Sequence, residues 1–187
     1  VDEYLDLIEK SKKQDARELL LNPLWHVHDG KIPPEENIMS FSMLLNLVET
    51  SNASSEEILW KFVKNYKKNI DKDNFPIFNN LIKYSIKYFN GVVKKNKKYK
   101  KPNSLEIKAL LDLISNLERC PDNMKPEDIQ SEIYTVGKNN GYKENLREWF
   151  KLIYEVVFGD ENGPRMGFFI SFFGVKETIE LINKSIK

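Results

Sequence analysis

The chain has 187 residues, of which 41% are hydrophobic, enough for a packed core in one domain or two small ones. Its 29 basic and 28 acidic side chains give a net charge of +1, so the chain as a whole has no strong attraction for polyanions. No apolar run approaches the roughly 18–20 residues that a membrane helix needs, and the acidic start Val1-Asp2-Glu3 lacks the basic region of a secretory signal. Membrane insertion and export are therefore not expected.

Cysteine use and the first residue bear on the compartment and on the origin of the chain. The single cysteine, Cys120, cannot form an internal disulfide. A reducing compartment suits such a chain, so a cytoplasmic location is expected. Because the first residue is Val rather than Met, we expect the sequence to be a processed chain or a part of a longer protein.

Apolar residues recur at three- and four-residue spacing along most of the chain, which predicts an all-α helical bundle. The sequence shows no sustained period-two alternation of the kind that strands produce. The apolar positions of the predicted helices are Leu5 and Ile8; Leu19 and Leu20; Phe41, Leu44, Leu45 and Val48; Leu59, Phe62, Val63 and Tyr66; Phe78, Leu81, Ile82, Ile86 and Phe89; Ile107, Leu110, Leu111, Ile114 and Leu117; Ile129, Ile133 and Val136; and Leu146, Trp149, Phe150, Ile153 and Val157.

Helix ends are marked by capping and breaking residues. Residues 54–57 match a capping box, and Asn103 with Glu106 opens a later helix in the same way. Pro126 suits a first helical turn, because it fixes φ and needs no hydrogen-bond donor there. Residues 24–34, which contain a Gly and a Pro-Pro pair, are predicted to form a loop.

Charge is distributed very unevenly along the chain. Residues 1–60 carry a net charge of −7, residues 61–101 a net charge of +11, and residues 102–187 a net charge of −3. The basic block contains Lys83 and Lys87 on a predicted helix. Such a block attracts nucleic acid through counterion release, although a solvated linker is the plainer explanation. Its densest part consists of Lys94, Lys95, Lys97, Lys98, Lys100 and Lys101.

The two histidines, His26 and His28, lie in the segment Trp25-His26-Val27-His28, where they could face a metal ion together. Zinc sites need three or four ligands, and the chain has no third histidine and only one cysteine. No metal site is therefore expected. A loop that buries Trp25 and hydrogen-bonds both imidazoles is favoured, with RNA contact by the imidazoles as the alternative.

Catalytic signatures are missing from the sequence. Neither a dinucleotide-binding glycine motif nor a P-loop is present. Cys120 has no histidine near it in sequence and precedes Pro121, so it is not expected to act as a nucleophile. No catalytic residue is predicted in this chain.

The segment 160–175 is rich in glycine and phenylalanine and contains Arg165. Pro164 suits the start of a helix and Gly174 its exit, with Phe169, Ile170 and Phe173 predicted to point inward. Gly167 would permit a close approach of backbones, and Arg165 would lie at the helix amino terminus, where an anion is favoured. The alternative is a helix crossing permitted by glycine, with an arginine that is merely exposed.

At these residues the chain resembles the carboxy-terminal region of class I lysyl-tRNA synthetases. The similarity extends over most of the chain and is weakest over residues 61–130. The segments that carry it are Gly163-Pro164-Arg165-Met166-Gly167-Phe168-Phe169 with Phe172-Phe173-Gly174-Val175-Lys176-Glu177-Thr178; Leu146-Arg147-Glu148-Trp149-Phe150-Lys151 with Tyr154-Glu155-Val156 and Gly159; and Asn22-Pro23-Leu24-Trp25-His26-Val27-His28, Pro33-Pro34 and Ser40-Phe41-Ser42-Met43-Leu44-Leu45-Asn46-Leu47.

This resemblance implies a helical region similar to the anticodon-binding helix cage of class I synthetases. Residues 1–101 would form a connecting subdomain that contacts tRNA, and residues 102–187 an anticodon-binding subdomain. The parent enzyme would use ATP to activate lysine and transfer it to tRNA. The His-Ile-Gly-His and Lys-Met-Ser-Lys-Ser motifs of the catalytic domain are absent from this sequence, so we expect the chain alone to be catalytically silent and to hold no cofactor.

The expected partner is tRNA, in particular lysine tRNA, and neither DNA nor a membrane. Unpaired RNA bases are bound by aromatic and guanidinium planes, so the basic and aromatic side chains of residues 134–165 are the candidates for anticodon contact. Trp149 is equally a core candidate. The predicted anticodon-contacting residues are Arg165, Arg147, Lys138, Tyr142, Tyr134, Trp149 and Gly167; the predicted tRNA stem contacts are His26, His28, Lys94, Lys95, Lys97, Lys98, Lys100 and Lys101.

Two alternatives remain at this point. The chain could be the equivalent region of a glutamyl-tRNA synthetase. It could also be a helical protein–protein scaffold without enzymatic function, in which the phenylalanine-rich end docks a partner helix.

Overall fold

The structure is a computed structural model that describes residues 1–121 and 123–187, without the side chain of Tyr66. Within these ranges the chain is helical and contains no strand, which confirms the all-α prediction. The predicted burial of Tyr66 lies outside the described side chains. The helices are α1 (Asp2–Ser11), α2 (Ala16–Leu21), α3 (Pro23–Val27), α4 (Phe41–Thr50), α5 (Glu56–Tyr66), α6 (Pro76–Tyr88), α7 (Ser104–Leu117), α8 (Pro126–Gly137), α9 (Leu146–Val157), α10 (Met166–Phe173) and α11 (Val175–Ser185).

Several helix ends follow the capping residues of the sequence. Asn103 and Glu106 form the predicted capping box, in which each side chain accepts a hydrogen bond from the other residue's backbone N–H. Pro126 occupies the first turn of α8. The capping box predicted at residues 54–57 is wrong, because Ser55 takes the N-cap position of α5 and its side chain makes no capping hydrogen bond.

The loop predicted at residues 24–34 is partly wrong, since it begins within the short helix α3. The Asn22 side chain accepts a hydrogen bond from the Leu24 N–H at 3.0 Å, and Pro23 stands at the first helical position. These two residues start a helix directly after α2 ends. The remainder of the predicted loop, including the Pro-Pro pair, contains no helix or strand.

Carboxylates far away in sequence cap two central helices. The Asp2 carboxylate accepts hydrogen bonds from the Phe41 N–H at 2.6 Å and the Ser42 hydroxyl at 2.9 Å, at the start of α4. Glu35 accepts hydrogen bonds from the first N–H groups of α6, those of Ile77 and Phe78. Negative charge is favourable at a helix amino terminus, so these contacts fix the orientation of α4 and α6.

The basic stretch after α6 is ordered against the other half of the chain. A π-helical turn, Phe89–Val93, and a 3₁₀ turn, Lys94–Asn96, lead into an extended segment. There the N–H groups of Lys98 and Lys100 donate to the carbonyls of Gly159 and Glu155, both at 3.0 Å. We call residues 94–101 the lysine segment.

Buried side chains from both halves form one continuous core. Phe62 of α5 stacks on Phe173 of α10 at 5.4 Å between ring centroids, which joins the two halves directly. Phe169, Ile170 and Phe173 are buried, as the sequence predicts. The division into subdomains at residues 101 and 102 stays a prediction. No helix in the described ranges combines the length and apolar character needed to cross a bilayer.

Candidate nucleic-acid interface

Helices α8 and α9 and the start of α10 bring together exposed cations and aromatic rings. The Tyr134 ring on α8 lies 5.0 Å from the Phe150 ring on α9, measured between centroids, in an edge-to-face arrangement. Lys138 is one turn beyond Tyr134, and Arg147 is one turn before Phe150. Together with Arg165 these residues form what we call the arginine patch, namely Tyr134, Lys138, Arg147, Phe150 and Arg165.

Arg165 is connected to the rest of the patch through Tyr154. The Tyr154 ring follows Phe150 on the same face of α9, with 6.2 Å between centroids. Its hydroxyl donates to the carbonyl of Pro164 at 2.9 Å, directly before Arg165. Burial raises the pKa of Tyr154 to about 12, so the hydroxyl keeps its proton at neutral pH. Tyr154 therefore holds the chain that carries Arg165 against α9.

The cations of the patch are available to a ligand. Lys138, Arg147 and Arg165 are exposed, and within the described residues their side chains make no ion pair or hydrogen bond. Tyr134 is 40% exposed. Two guanidinium groups and an accessible ring match the chemistry that binds phosphates and unpaired bases.

Trp149, predicted to contact RNA or to lie in the core, is fully buried. Its indole N–H donates to the carbonyl of Ile133 at 3.0 Å, and its ring lies so close to Gly137 that a Cβ there would stand 2.4 Å from the Trp149 Cδ1 atom. Tyr142 is half-buried and covers the same indole, with 5.4 Å between ring centroids. Of the two roles predicted for Trp149, the structure shows the core position, which leaves no part of the ring accessible to a base.

Gly167 is also buried, where α10 crosses α8. Its N–H donates to the side-chain carbonyl of Gln130 at 2.8 Å, and a Cβ on Gly167 would stand 2.1 Å from the carbonyl oxygen of Pro126. The close approach predicted for this glycine is therefore made by a neighbouring helix. Because its amide is already bonded, Gly167 positions Arg165 rather than offering a contact of its own.

A Gly167→Ala variant should lower the free energy of unfolding by about 1–3 kcal/mol or more, because the new methyl group overlaps backbone atoms of α8. Urea unfolding followed by circular dichroism measures this loss. Gly91→Ala is the matched control, since a Cβ there meets no atom within 4 Å. Equal stability of the two variants would contradict the close crossing.

The lysine segment divides into exposed and paired side chains. Lys97 donates to the carbonyl of Phe158 at 2.7 Å and lies 3.0 Å from the Glu49 carboxylate, with 10% and 6% of the two side chains exposed. Lys100 pairs with Glu106 at 2.8 Å and lies 3.6 Å from Glu155. These two lysines hold the segment in place through their ion pairs, and a contact of either with tRNA stays a prediction. The side chains of Lys94, Lys95, Lys98 and Lys101 are exposed.

Both histidines make hydrogen bonds within the chain. A ring nitrogen of His26 lies 2.8 Å from the carbonyl oxygen of Leu20, and one of His28 lies 2.9 Å from the Tyr4 hydroxyl. Trp25 is only half-buried, although a core position was predicted for it. In the part of the chain that the structure describes, no three His, Cys, Asp or Glu side chains converge as a metal site would require.

The sequence prediction missed Phe150 and Tyr154 as members of the site. Phe150, Tyr154 and Phe158 follow one another at four-residue spacing, which places their rings along one face of α9. The available signal was an aromatic ring at Phe150 and a hydroxyl-bearing ring at Tyr154, one and two turns beyond Arg147 on the same helix. The sequence analysis places Phe150 on the apolar face of this helix and assigns Tyr154 no role at the site.

Comparison with known proteins identifies homologues over the whole chain. A lysine–tRNA ligase of Rickettsia bellii is 35% identical over 188 residues, covering 100% of this chain and 36% of the relative. The lysine–tRNA ligase of Roseobacter denitrificans is 37% identical, and the match covers 100% of this chain and 35% of the relative. The lysine–tRNA ligase of Rickettsia peacockii is 35% identical, and the match covers 97% of this chain and 35% of the relative. The chain thus spans about a third of the length of these relatives.

Two other comparisons gave no match. No protein-family model matches the chain. No solved structure matches it either.

The fold and the arginine patch together define an all-helical domain with an exposed cationic and aromatic surface. By its similarity to these relatives, the chain is homologous to about a third of the length of lysine–tRNA ligases.

Proposed function

We propose that this chain is the carboxy-terminal, tRNA-binding region of a lysine–tRNA ligase and that the arginine patch binds the anticodon loop of lysine tRNA. The observation that carries the proposal is the pair of exposed arginines, which make no ion pair or hydrogen bond through their side chains within the described residues. Arg147 stands one turn from Phe150, whose ring contacts Tyr134, and Arg165 follows the Pro164 that Tyr154 holds. A guanidinium plane can stack on a base or bind phosphate through two hydrogen bonds, and an exposed ring adds a stacking surface.

In this proposal the chain positions tRNA and a catalytic domain elsewhere in the parent protein makes the bond. That domain would use ATP and lysine as substrates and attach lysine to the tRNA. The motifs of such a domain are absent from these 187 residues, which is why we assign them binding rather than catalysis. The free thiol of Cys120 suits the reducing cytoplasm, where we place the protein.

The scaffold alternative depends on a phenylalanine-rich end that is free to dock a partner. Phe169, Phe172 and Phe173 are instead buried in the core of this chain. Phe168 is half-buried. These rings are therefore engaged within the chain, which favours RNA binding over the scaffold.

Titration of the chain with labelled anticodon stem-loops tests the proposal. The lysine tRNA loop should bind more tightly than the glutamate tRNA loop and an unrelated hairpin, with an affinity that falls as salt rises, because phosphate contacts release counterions. Equal affinity for all three hairpins would refute anticodon binding.

An Arg165→Ala variant should bind the lysine stem-loop about 5- to 150-fold more weakly, equivalent to about 1–3 kcal/mol. Its melting temperature should stay near that of the unmodified chain, since the side chain is exposed. Arg17→Ala, which removes an exposed arginine on α2, is the matched control and should bind normally. A loss of stability with unchanged RNA affinity would assign Arg165 a structural role only.

A further inference from the structure

An open cleft of about 740 Å³ lies between α4 and α6, outside the arginine patch. Tyr84 and Tyr88 stand one turn apart on α6 and are 62% and 47% exposed. Exposed aromatic surface gathered in a cleft marks a candidate interaction site. The cleft is lined by Phe41, Ser42, Leu45, Tyr84, Lys87 and Tyr88, together with the amino-terminal end of the chain.

The charges at this cleft favour an anionic ligand. The Lys87 ammonium lies 5.9 Å from the centroid of the Tyr84 ring. Lys87 is exposed and makes no ion pair within the described residues. Lys83, one turn before it, does not line this cleft but a neighbouring one, together with Lys87, Glu56 and Glu57. The acidic group at the cleft, Asp2, already accepts two hydrogen bonds at the amino terminus of α4, where the helix dipole offsets its charge.

A second cleft of about 480 Å³ adjoins the first. It shares Ser42, Leu45 and Tyr88 with the first cleft and extends to Asp160 and Pro164. Pro164 directly precedes Arg165 in sequence. The two clefts together lead from Tyr88 of α6 toward the segment that carries Arg165.

We propose that Tyr84 and Tyr88 form a second stacking site, for an unpaired nucleotide of the same tRNA that the arginine patch binds, with Lys87 contacting its phosphate. This inference rests on the proposed function. Rings accept the face of any base, and a lysine beside a ring supplies the countercharge that a nucleotide needs. Lys94 and Lys95, exposed beyond the end of α6, extend the positive surface along the RNA.

The test measures binding of a labelled lysine tRNA transcript to a Tyr84→Ala/Tyr88→Ala variant. We expect an affinity about 5- to 150-fold lower for each base that loses its stacking partner. The variant Tyr84→Phe/Tyr88→Phe keeps both rings and should bind within about twofold of the unmodified chain. The salt dependence should stay unchanged in both variants, because no charge is removed.

A fluorescent reporter distinguishes direct contact from an indirect effect. In a Tyr84→Trp variant, the new indole should be quenched when the transcript is added and should not respond to an equal concentration of inorganic phosphate. Tyr88 packs 6.1 Å from Phe41, so the double variant could lose some stability. If its melting temperature falls, the single variant Tyr84→Ala serves in its place, since Tyr84 is the more exposed ring.

The outcomes separate the two proposals. If the tyrosine variants bind the transcript as tightly as the unmodified chain while Arg165→Ala binds weakly, the second site is refuted and anticodon binding stands. If the unmodified chain binds the transcript no better than an unrelated hairpin, both proposals fail.

Discussion

Replacing Lys97 with alanine should lower the free energy of unfolding by about 3–5 kcal/mol. The change leaves the Glu49 carboxylate buried without its countercharge and removes the hydrogen bond to the carbonyl of Phe158. Burial raises the pKa of Glu49 even with Lys97 beside it, so the uncompensated charge is costly there. Urea unfolding at neutral pH measures the loss.

Lys95→Ala is the matched control, because that side chain is exposed two residues earlier in the same segment. Its effect should stay within about 0.5 kcal/mol. The deficit of Lys97→Ala should shrink as the pH falls through the raised pKa of Glu49, since protonation removes the buried charge. A Lys97→Ala variant as stable as Lys95→Ala would contradict the buried ion pair.

Replacing Trp149 with alanine should lower the free energy of unfolding by about 3–5 kcal/mol. The indole is fully buried between Gly137 and Tyr142, so its removal leaves a large cavity. The carbonyl of Ile133 also loses its hydrogen-bond donor. Thermal and urea unfolding both report this loss.

Trp149→Phe keeps an aromatic ring and should recover part of the lost stability. At a temperature where both variants are folded, each should bind the lysine stem-loop as the unmodified chain does. If Trp149→Ala were as stable as the unmodified chain but bound RNA more weakly, Trp149 would have to contact RNA directly.

The helical fold was predictable because its signals are local. Apolar spacing within one helix fixes which face is buried, and the Asn103–Glu106 capping box closes within four residues. Proline and glycine predict a loop across the whole of residues 24–34, whereas the short helix α3 occupies the beginning of that range. The Asn22 side chain, which lies outside that range, caps the amino terminus of α3 and so stabilises a helix there.

The partners of individual charges could not be predicted. Six lysines of the lysine segment have the same chemistry in sequence, yet Lys97 is buried against Glu49, which precedes it by 48 positions. Tertiary packing alone separates it from its exposed neighbours. The same applies to the caps that Asp2 and Glu35 provide to distant helices.

The charged members of the candidate site could be predicted from the sequence, because their chemistry and their positions along the helices are local properties. Arg147 and Arg165 were predicted as ligand contacts from their chemistry, and both are exposed. The ring of Phe150 beside Tyr134 comes from the packing of α9 on α8, which no local pattern encodes. Whether these groups bind RNA stays a prediction until the titrations are made.

The docking of the lysine segment limits how the polypeptide can be divided. A fragment ending at residue 101 would retain Glu49, Lys97 and Tyr99 but would lose the carbonyls of Glu155, Phe158 and Gly159 that anchor this stretch. The lysine segment of this fragment would then lack the hydrogen bonds that hold it in place. Neither half should therefore be expected to behave autonomously, and excising one is a poor way to isolate its share of RNA recognition.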